Sequence, residues 1–306
     1  MKSESISSFR ARKSRIDNMC DSWGLKRLAP LVASWEVPKP LWADLRNAVA
    51  AYISKALESD LEAAETVRVL EEFKSNTRNV TPNGAIVPKR EYSALYNWVL
   101  ACWIEVLRAM TFDAPSLLSR VRVTPNIRVK FASEFASNEG RPLNTAIPHS
   151  DAWVEGPWGM NCFVPIFGDT LNNTLTYWRI DDENFRDEFL SSSPSYFENQ
   201  WVLDHLKPDL SISTPPGYVY LSDFAVIHAT TRKPGCGPRV SIDTTLMVGD
   251  YPVHPDREVE YRSSMPNFGV DTLVICERSQ DQIAEKQTTF SHYTSGNIRW
   301  CDLSSN

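Results

Sequence analysis

The sequence has no excess of basic residues and no long apolar run. Its 306 residues carry a formal net charge of -6, so the positive footprint of a general nucleic-acid binder is missing and we expect no nucleic-acid partner. No stretch is apolar enough to span a bilayer, so we expect no membrane partner. The opening stretch MKSESISSFRARKSR lacks the apolar segment of a secretory signal, which predicts a soluble, cytoplasmic protein. Its early glutamate favours a disordered terminus over an organelle-targeting peptide.

The sequence also lacks a CxxC pair. Six cysteines are spread along the chain, and this spacing suits isolated reduced thiols better than a disulfide framework or a zinc knuckle. We therefore assign no chemistry to Cys20, Cys102, Cys162, Cys236, Cys276 and Cys301.

The hydrophobic content of 42% suits a well-filled core and a single domain over residues 1–306. Apolar residues follow helical spacing in two runs between residues 40 and 74, and in a longer run between Leu95 and Met110. Residues 1–120 are therefore predicted to form a mainly helical layer. Homodimerisation through this layer is left open.

After Arg120 the apolar pattern changes to a period of two, and short β-like runs such as MNCFVPIF, GYVYLSDF and RVSIDTTLMV recur. Residues 121–250 are therefore predicted to form an all-β core behind the helical layer. A polar insertion at about 180–215 interrupts this core, and its length predicts a partly helical lid or flank. Residues 251–306 are predicted to form a C-terminal extension.

A possible metal site begins in the stretch IPHSDAW. On an extended segment side chains alternate, so His149 and Asp151 would project to one side, with Trp153 next in line. Such a pair is weak by itself, because a second one occurs at His254 and Asp256. The alternative is a histidine held by a carboxylate in an ordinary polar turn.

The remainder of the site separates the two pairs. Two histidines and one carboxylate on one face of an octahedron leave three positions open, as in non-haem Fe(II) oxygenases. His228 ends a strand-like run, and Arg239 follows it eleven residues on, a spacing that no other histidine of the five shares. Alternation then places Arg239 and Ser241 on one face, a seat for a carboxylate beside the metal.

These residues resemble the Fe(II)/2-oxoglutarate-dependent oxygenase superfamily, of the taurine-dioxygenase or phytanoyl-CoA-hydroxylase type, over about residues 125–250. The resemblance implies a double-stranded β-helix and a cosubstrate requirement for 2-oxoglutarate and O2. It also implies that His149, Asp151 and His228 bind Fe(II), while Arg239 and Ser241 hold the distal carboxylate of 2-oxoglutarate. The taurine-dioxygenase branch has a threonine on a strand between the HxD motif and the distal histidine. Thr174 would correspond to it, but this match is weaker than those of the other residues.

Three further residues are candidates around this site. Asn161 is predicted to contact the cosubstrate or substrate, or else to be an amide satisfied inside the barrel. Trp153 is predicted to wall the substrate pocket, although one more buried indole is an ordinary alternative. Arg128, with Lys130 on the same strand face, belongs either to a solvated face or to an anionic substrate site.

The predicted function is oxidation of an unactivated C–H bond in a small molecule, an amino acid or a secondary metabolite, with release of succinate and CO2. By the resemblance, an aspartate at position 151 favours hydroxylation, desaturation or ring formation over halogenation. Two alternatives stay open. One is a protein or nucleic-acid hydroxylase or demethylase of the same fold, and the other is a non-catalytic, cupin-like metal-binding protein.

Overall fold

The computed structural model describes residues 8–57, 80–81, 83–86, 88, 92–133, 143–254, 261–263, 265, 272–276 and 298–302, the last two ranges by their backbone. The second helix predicted before residue 74 and the carboxylate of Asp256 lie outside the described residues.

The part of the N-terminal segment that the structure describes, from Ser8 on, forms a helix rather than the disordered terminus that we predicted. Helix α1 spans Phe9–Trp23; Ser8 caps its start by accepting a hydrogen bond from Ala11, and Gly24 ends it in the left-handed region at φ 64°. Ile16 and Met19 are fully buried on its inner face. The prediction was wrong for this stretch because two of its arginines, Arg12 and Arg15, are buried in the fold, although Arg10 is exposed.

Two longer helices occupy segments that the sequence predicts as helical. They are α2, Lys39–Ala56, and α3, Ser93–Met110. Their facing sides join the core, with the rings of Tyr52 and Tyr96 5.3 Å apart. Within the described part of the chain, no helix combines the length and apolarity that crossing a membrane requires.

Antiparallel strands form most of the remaining structure. The strands are β1 Lys26–Ala29, β2 Val32–Glu36, β3 Leu118–Arg122, β4 Asn126–Lys130, β5 Met160–Gly168, β6 Asn173–Tyr177, β7 Tyr218–Asp223, β8 His228–Arg232, β9 Arg239–Val248, β10 Tyr261–Arg262, β11 Thr272–Cys276 and β12 Ile298–Asp302. The eight-stranded main sheet has the order β1-β2-β7-β5-β9-β3-β10, and β4 also pairs with β9. Two further sheets pair β6 with β8 and β11 with β12.

This sheet-rich, antiparallel arrangement is consistent with a jelly-roll-like fold. One part of the prediction needs correction: β1 and β2 lie inside the first third, which we predicted to be mainly helical, and β2 pairs along its length with β7. Strands this short carry little periodicity of their own. Their pairing with a distant strand decides their conformation.

The insertion at 180–215 contains two short 3-10 helices, Asp187–Leu190 and Gln200–Asp204, and another short helix, α4, spans Ala152–Glu155. Among the cysteines whose side chains are described, four are free thiols: Cys20, Cys102, Cys162 and Cys236.

Candidate metal centre

Two histidines from distant segments, His149 and His228, lie side by side at the start of β8. The backbone N–H of His149 donates to the carbonyl of His228 at 3.0 Å, and the N–H of His228 donates back at 2.9 Å. Their ring centroids are 4.5 Å apart. This isolated antiparallel bridge fixes the two imidazoles relative to each other.

Asp151 completes a group of three. One ligand atom of each of His149, Asp151 and His228 lies within 4.8 Å of the others, and Nε2 of His228 is 3.8 Å from Oδ2 of Asp151. The backbone does not stay extended, as the alternation predicted, because Asp151 has φ -64° and ψ -24° and caps helix α4. The carboxylate nevertheless reaches the histidines.

Backbone carbonyls orient both imidazoles. Nδ1 of His149 is 2.8 Å from the carbonyl of Ile147, and Nδ1 of His228 is 3.1 Å from the carbonyl of Val226. Since a carbonyl only accepts, the assigned tautomer carries its proton on Nδ1 in each ring. Nε2 of each ring is left as a lone-pair donor, and this is the usual second-sphere arrangement of metal-binding histidines.

Burial favours the uncharged forms of His149 and Asp151. Burial, with His228 as the second cause, lowers the pKa of His149 well below its usual range. Burial raises the pKa of Asp151, and His228 opposes this rise. A neutral imidazole is the form that binds metal, and a divalent cation would also compensate the buried carboxylate.

Neighbouring side chains hold two of the three candidate ligands in place. Nδ2 of Asn161 donates to Oδ2 of Asp151 at 2.7 Å. The ring of Tyr196, from the insertion, stacks on His149 with a centroid distance of 4.3 Å and an interplanar angle of 17°. Asn161 therefore orients the carboxylate of Asp151 through its amide nitrogen. The amide oxygen Oδ1 of Asn161 is buried without a hydrogen-bond partner.

A cavity opens beside the three residues. Alternate residues of β4, β5, β6, β8 and β9 supply most of its wall. Besides the triad, it is lined by Arg128, Lys130, Thr145, Asn161, Phe163, Leu175, Thr230, Arg239, Ser241 and Asp243.

Arg239 is a buried cation without a carboxylate partner among the described residues. It is 2% exposed, its Nη1 donates to the carbonyl of Asn173 at 3.2 Å, and its guanidinium lies 5.0 Å from the ring centroid of Phe163. Its Nε and the hydroxyl of Ser241 are buried without a hydrogen-bond partner. Burial lowers the pKa of Arg239 to about 9, which leaves it charged at neutral pH.

Lys130 adds a second basic side chain at this end of the cavity. Lys130 and Arg239 are directly paired across β4 and β9, and Nζ of Lys130 contacts the hydroxyl of Thr145 at 2.9 Å. Burial, followed by the charges of Arg128, Arg232 and Arg239, lowers the pKa of Lys130. In the described part of the chain, no carboxylate pairs with Lys130.

Arg128 faces the cavity, but its charge is already compensated. Its Nε and Nη2 donate to the two carboxylate oxygens of Asp243 at 2.7 and 2.6 Å. The solvated-face alternative is therefore excluded by the structure. Direct substrate binding by Arg128 remains a prediction, and its bidentate partner reduces the charge that it can offer a substrate.

Two predicted site residues lie elsewhere. Thr174 projects from the opposite face of β6, where its hydroxyl contacts that of Thr214 at 2.7 Å, and Leu175 faces the cavity instead. Trp153 lies in α4, is 1% exposed and donates through Nε1 to the carbonyl of Phe189 at 2.7 Å. Neither side chain lines the cavity, so the structure does not bring Thr174 or Trp153 together with the other candidate residues, and their roles toward cosubstrate and substrate stay predictions.

Sequence reasoning did not assign Asp243 or Thr230 to the site, and it placed no definite role on Lys130. Asp243 could have been found, because it continues the alternation that pairs Arg239 with Ser241 on β9. Thr230 follows His228 by the same rule on β8. His205 is exposed, and His254 is not part of the triad.

No family model and no curated protein sequence matches the chain. Among solved structures, the chain is similar to the non-haem, alpha-ketoglutarate-dependent epimerase SnoN from nogalamycin biosynthesis, with 9% identity, coverage of 77% of this chain and 83% of that chain, and a TM-score of 0.36.

Two further structures show a likeness of the same order. An N-substituted L-amino acid dioxygenase from Burkholderia ambifaria has 14% identity, coverage of 71% and 82%, and a TM-score of 0.33. The non-haem iron oxygenase OrfP, in complex with Fe, succinate and (3S)-hydroxy-L-Arg, has 10% identity, coverage of 73% and 96%, and a TM-score of 0.31. Likeness at this level carries no information on the substrate or reaction of this chain.

Proposed function

We propose that this protein is an Fe(II)- and 2-oxoglutarate-dependent oxygenase that oxidises a C–H bond of a small molecule. The observation that carries the proposal is the convergence of His149, Asp151 and His228 beside a buried guanidinium, that of Arg239, which lacks a carboxylate partner among the described residues. Neither the three candidate ligands nor the buried guanidinium is by itself specific to an oxygenase. Together, in one cavity, they provide both a metal-binding site and an anion-binding site, which this chemistry requires.

The donor set fits ferrous iron. Nε2 of His149, Nε2 of His228 and a carboxylate oxygen of Asp151 would hold the ion, as in the facial triad of two histidines and one carboxylate. Imidazole and carboxylate donors without any thiolate suit Fe(II) better than a structural zinc site, which would be closed by a fourth protein ligand. The described residues offer no such fourth ligand.

The orphaned polar atoms at the other end of the cavity fit a carboxylate. Nε of Arg239 and the hydroxyl of Ser241 are buried donors without partners, and leaving such groups unpaired costs free energy. The distal carboxylate of 2-oxoglutarate would satisfy both of them. Lys130, directly across the strands from Arg239, would offer its amino group as a further hydrogen-bond donor at the same place.

When bound, ferrous iron would activate O2 as the oxidant, and the oxidative decarboxylation of 2-oxoglutarate to succinate and CO2 would accompany oxidation of the substrate's C–H bond. The chain's own residues have supporting tasks. Asn161 holds the carboxylate of Asp151, and the wall residues Phe163 and Leu175 keep water from the cavity. The protein therefore positions the reactants and excludes solvent.

The wider assignments follow from this proposal. We propose a double-stranded β-helix for the antiparallel core, within a single domain over residues 1–306, and hydroxylation, desaturation or ring formation as the outcome. An amino acid or a secondary metabolite is the proposed substrate class, and cytoplasm the proposed location. A concave cavity lined by alternate residues of five strands suits a small molecule better than an extended polymer.

The direct test is succinate formation. Purified protein would be supplied with Fe(II), 2-oxoglutarate and O2, together with a panel of amino acids and small natural products, and succinate would be quantified. A parallel anaerobic titration of Fe(II) and 2-oxoglutarate would follow the visible charge-transfer band. His228→Ala and Arg239→Ala provide the matched controls.

Each outcome separates the alternatives. Succinate and a charge-transfer band that both require His228 and Arg239 would support the oxygenase. Tight metal binding without a band or succinate would instead favour the non-catalytic, cupin-like protein. Turnover with peptides or nucleic acids but with no small molecule would favour the hydroxylase or demethylase alternative.

A further inference from the structure

A tight turn at the end of β7 leads directly into the candidate ligand His228. Oδ1 of Asp223 accepts a hydrogen bond from the backbone N–H of Ala225 at 2.8 Å, and its carbonyl accepts from the N–H of Val226 at 2.9 Å. An aspartate that bonds the backbone two residues on is a common way to fix a turn. We call residues 223–226 the Asp223 turn.

Two carbonyls of the Asp223 turn hold both candidate ligand segments. The carbonyl of Val226 faces Nδ1 of His228 at 3.1 Å. The carbonyl of Phe224 accepts from the hydroxyl of Ser150, the residue between His149 and Asp151, at 2.5 Å. The conformation of this turn therefore fixes the orientation of one imidazole and the position of the segment that carries the other two ligands.

Helix α1 compensates the charge at the base of this turn. Nη1 of Arg12 donates to Oδ1 of Asp223 at 2.7 Å, and Nη2 of Arg15 donates to Oδ2. The side chains of Arg12 and Asp223 have no exposed surface, and that of Arg15 is 7% exposed. Burial alone would raise the pKa of Asp223, but the charges of Arg12 and Arg15 reverse this effect and lower it.

The same two arginines dock α1 against the segment that precedes β5. Their guanidinium carbons lie 4.8 and 5.8 Å from a ring centroid of Trp158, and Nη2 of Arg15 reaches the carbonyl of Gly159 at 3.5 Å. That carbonyl also accepts from the N–H of Phe224, at 3.1 Å. The helix and the Asp223 turn are thus held at one point.

We propose that Arg12 and Arg15 of helix α1 act as positioning residues for the metal centre, through Asp223 and the turn that orients His228 and Ser150. This inference rests on the proposed metal-binding function. It extends the metal centre to a helix that lies outside the residues covered by the sequence resemblance. Removing a charge from α1 should therefore weaken metal binding, although neither arginine touches a ligand.

The test uses Co²⁺ alone as the probe, because its visible absorption reports ligand geometry in the absence of turnover. Arg15→Gln is the main variant, since Arg12 stays in place to compensate Asp223. Its dissociation constant for Co²⁺ is expected to rise about 10-fold or more, the usual effect of losing an outer-sphere support, with an altered visible spectrum. Asp17→Asn is the matched control, because it removes an ion pair of α1 with Arg27 and leaves the Asp223 turn untouched.

Far-UV circular dichroism at the titration temperature establishes that each variant is folded. Arg15→Lys keeps a cation beside Asp223, so its dissociation constant should lie between those of wild type and Arg15→Gln, and it decides the question if Arg15→Gln does not fold. An Arg15 variant that is folded and binds Co²⁺ within twofold of wild type, with the same spectrum, would overturn the inference. If the wild-type protein binds no Co²⁺, the proposed function itself is contradicted. If wild type binds Co²⁺ and the folded Arg15 variant binds it equally well, only the present inference is contradicted.

Discussion

His149 and His228 exchange both of their backbone hydrogen bonds, at 3.0 and 2.9 Å, although they come from distant segments. The two imidazoles are therefore placed by main-chain geometry as well as by their own rotamers. Asp151 joins them through a change in backbone direction rather than through an extended strand. The arrangement makes the site preorganised, and the predictions below address its separate parts.

His228→Ala should abolish Fe(II) binding. A missing direct ligand is expected to cost more than the roughly 10–100-fold that losing an outer-sphere contact costs. Anaerobic titration with Fe(II) and metal analysis after desalting would measure the loss. Asp256→Ala and His205→Ala are controls that should keep full occupancy; Asp256 lies outside the described residues. Retained iron in His228→Ala would mean that the triad is misassigned.

Arg239→Ala should raise the 2-oxoglutarate requirement far more than the Fe(II) requirement. Truncating one partner of a buried, hydrogen-bonded charge pair costs about 2–5 kcal/mol of binding, or roughly 30-fold and more in dissociation constant. The charge-transfer band, titrated with 2-oxoglutarate at saturating Fe(II), would report the change. An unchanged 2-oxoglutarate affinity would remove Arg239 from the site.

Arg239→Met should stabilise the ligand-free protein. A buried cation without a carboxylate partner among the described residues carries a desolvation cost that a methionine of similar volume avoids. Thermal unfolding without ligands is expected to give a higher Tm than wild type, and added 2-oxoglutarate should no longer raise it. A lower Tm in the absence of ligand would show that Arg239 is compensated in the apo protein.

Asp243→Asn should destabilise the fold by about 3–5 kcal/mol, because it leaves Arg128 as a buried charge without its carboxylate. Burial alone would raise the pKa of Asp243, but Arg128 and Asn126 reverse this and lower it. The stabilisation is therefore complete above the unfolded-state pKa near 4, and is lost as pH falls through the lower folded-state pKa. Urea unfolding at several pH values should show wild type and variant converging only below about pH 4.

Tyr196→Leu should weaken metal binding, whereas Tyr196→Phe should not. Stacking keeps the ring of His149 in place, and an aromatic pair contributes about 0.5–1.5 kcal/mol, or roughly 2–12-fold in dissociation constant. Titration with Co²⁺ would measure both variants. Equal affinities for the leucine and phenylalanine variants would mean that the stacking contributes nothing to the site.

The insertion at 180–215, which we predicted to be a partly helical lid or flank, packs against the segment that precedes and forms α4. Ser193 donates its backbone N–H to the carbonyl of Trp153 at 2.9 Å, and Nε2 of Gln200 donates to the carbonyl of Pro148 at 2.8 Å. Tyr196, between them, stacks on His149. These contacts brace the segment that carries two candidate ligands, and polar composition in a sequence does not reveal such contacts.

The sequence by itself pointed to the candidate ligands through their residue types and spacing, although the extended backbone expected for His149 and Asp151 was wrong. On β9, alternation along a strand is a local property, so Arg239, Ser241 and Asp243 share a face once this segment is a strand. The eleven-residue spacing between His228 and Arg239 is likewise readable from the chain alone.

Tertiary structure decided the remaining features. Pairing with β8 turned Leu175 rather than Thr174 toward the cavity, and a change in backbone direction buried Trp153 away from it. The ion pairs of Arg12 and Arg15 with the buried Asp223 hold helix α1 against the fold, in a terminal segment that we predicted to be disordered. The physical reason is that strand partners and the compensation of buried charges depend on residues far apart in the chain, so no local pattern encodes them.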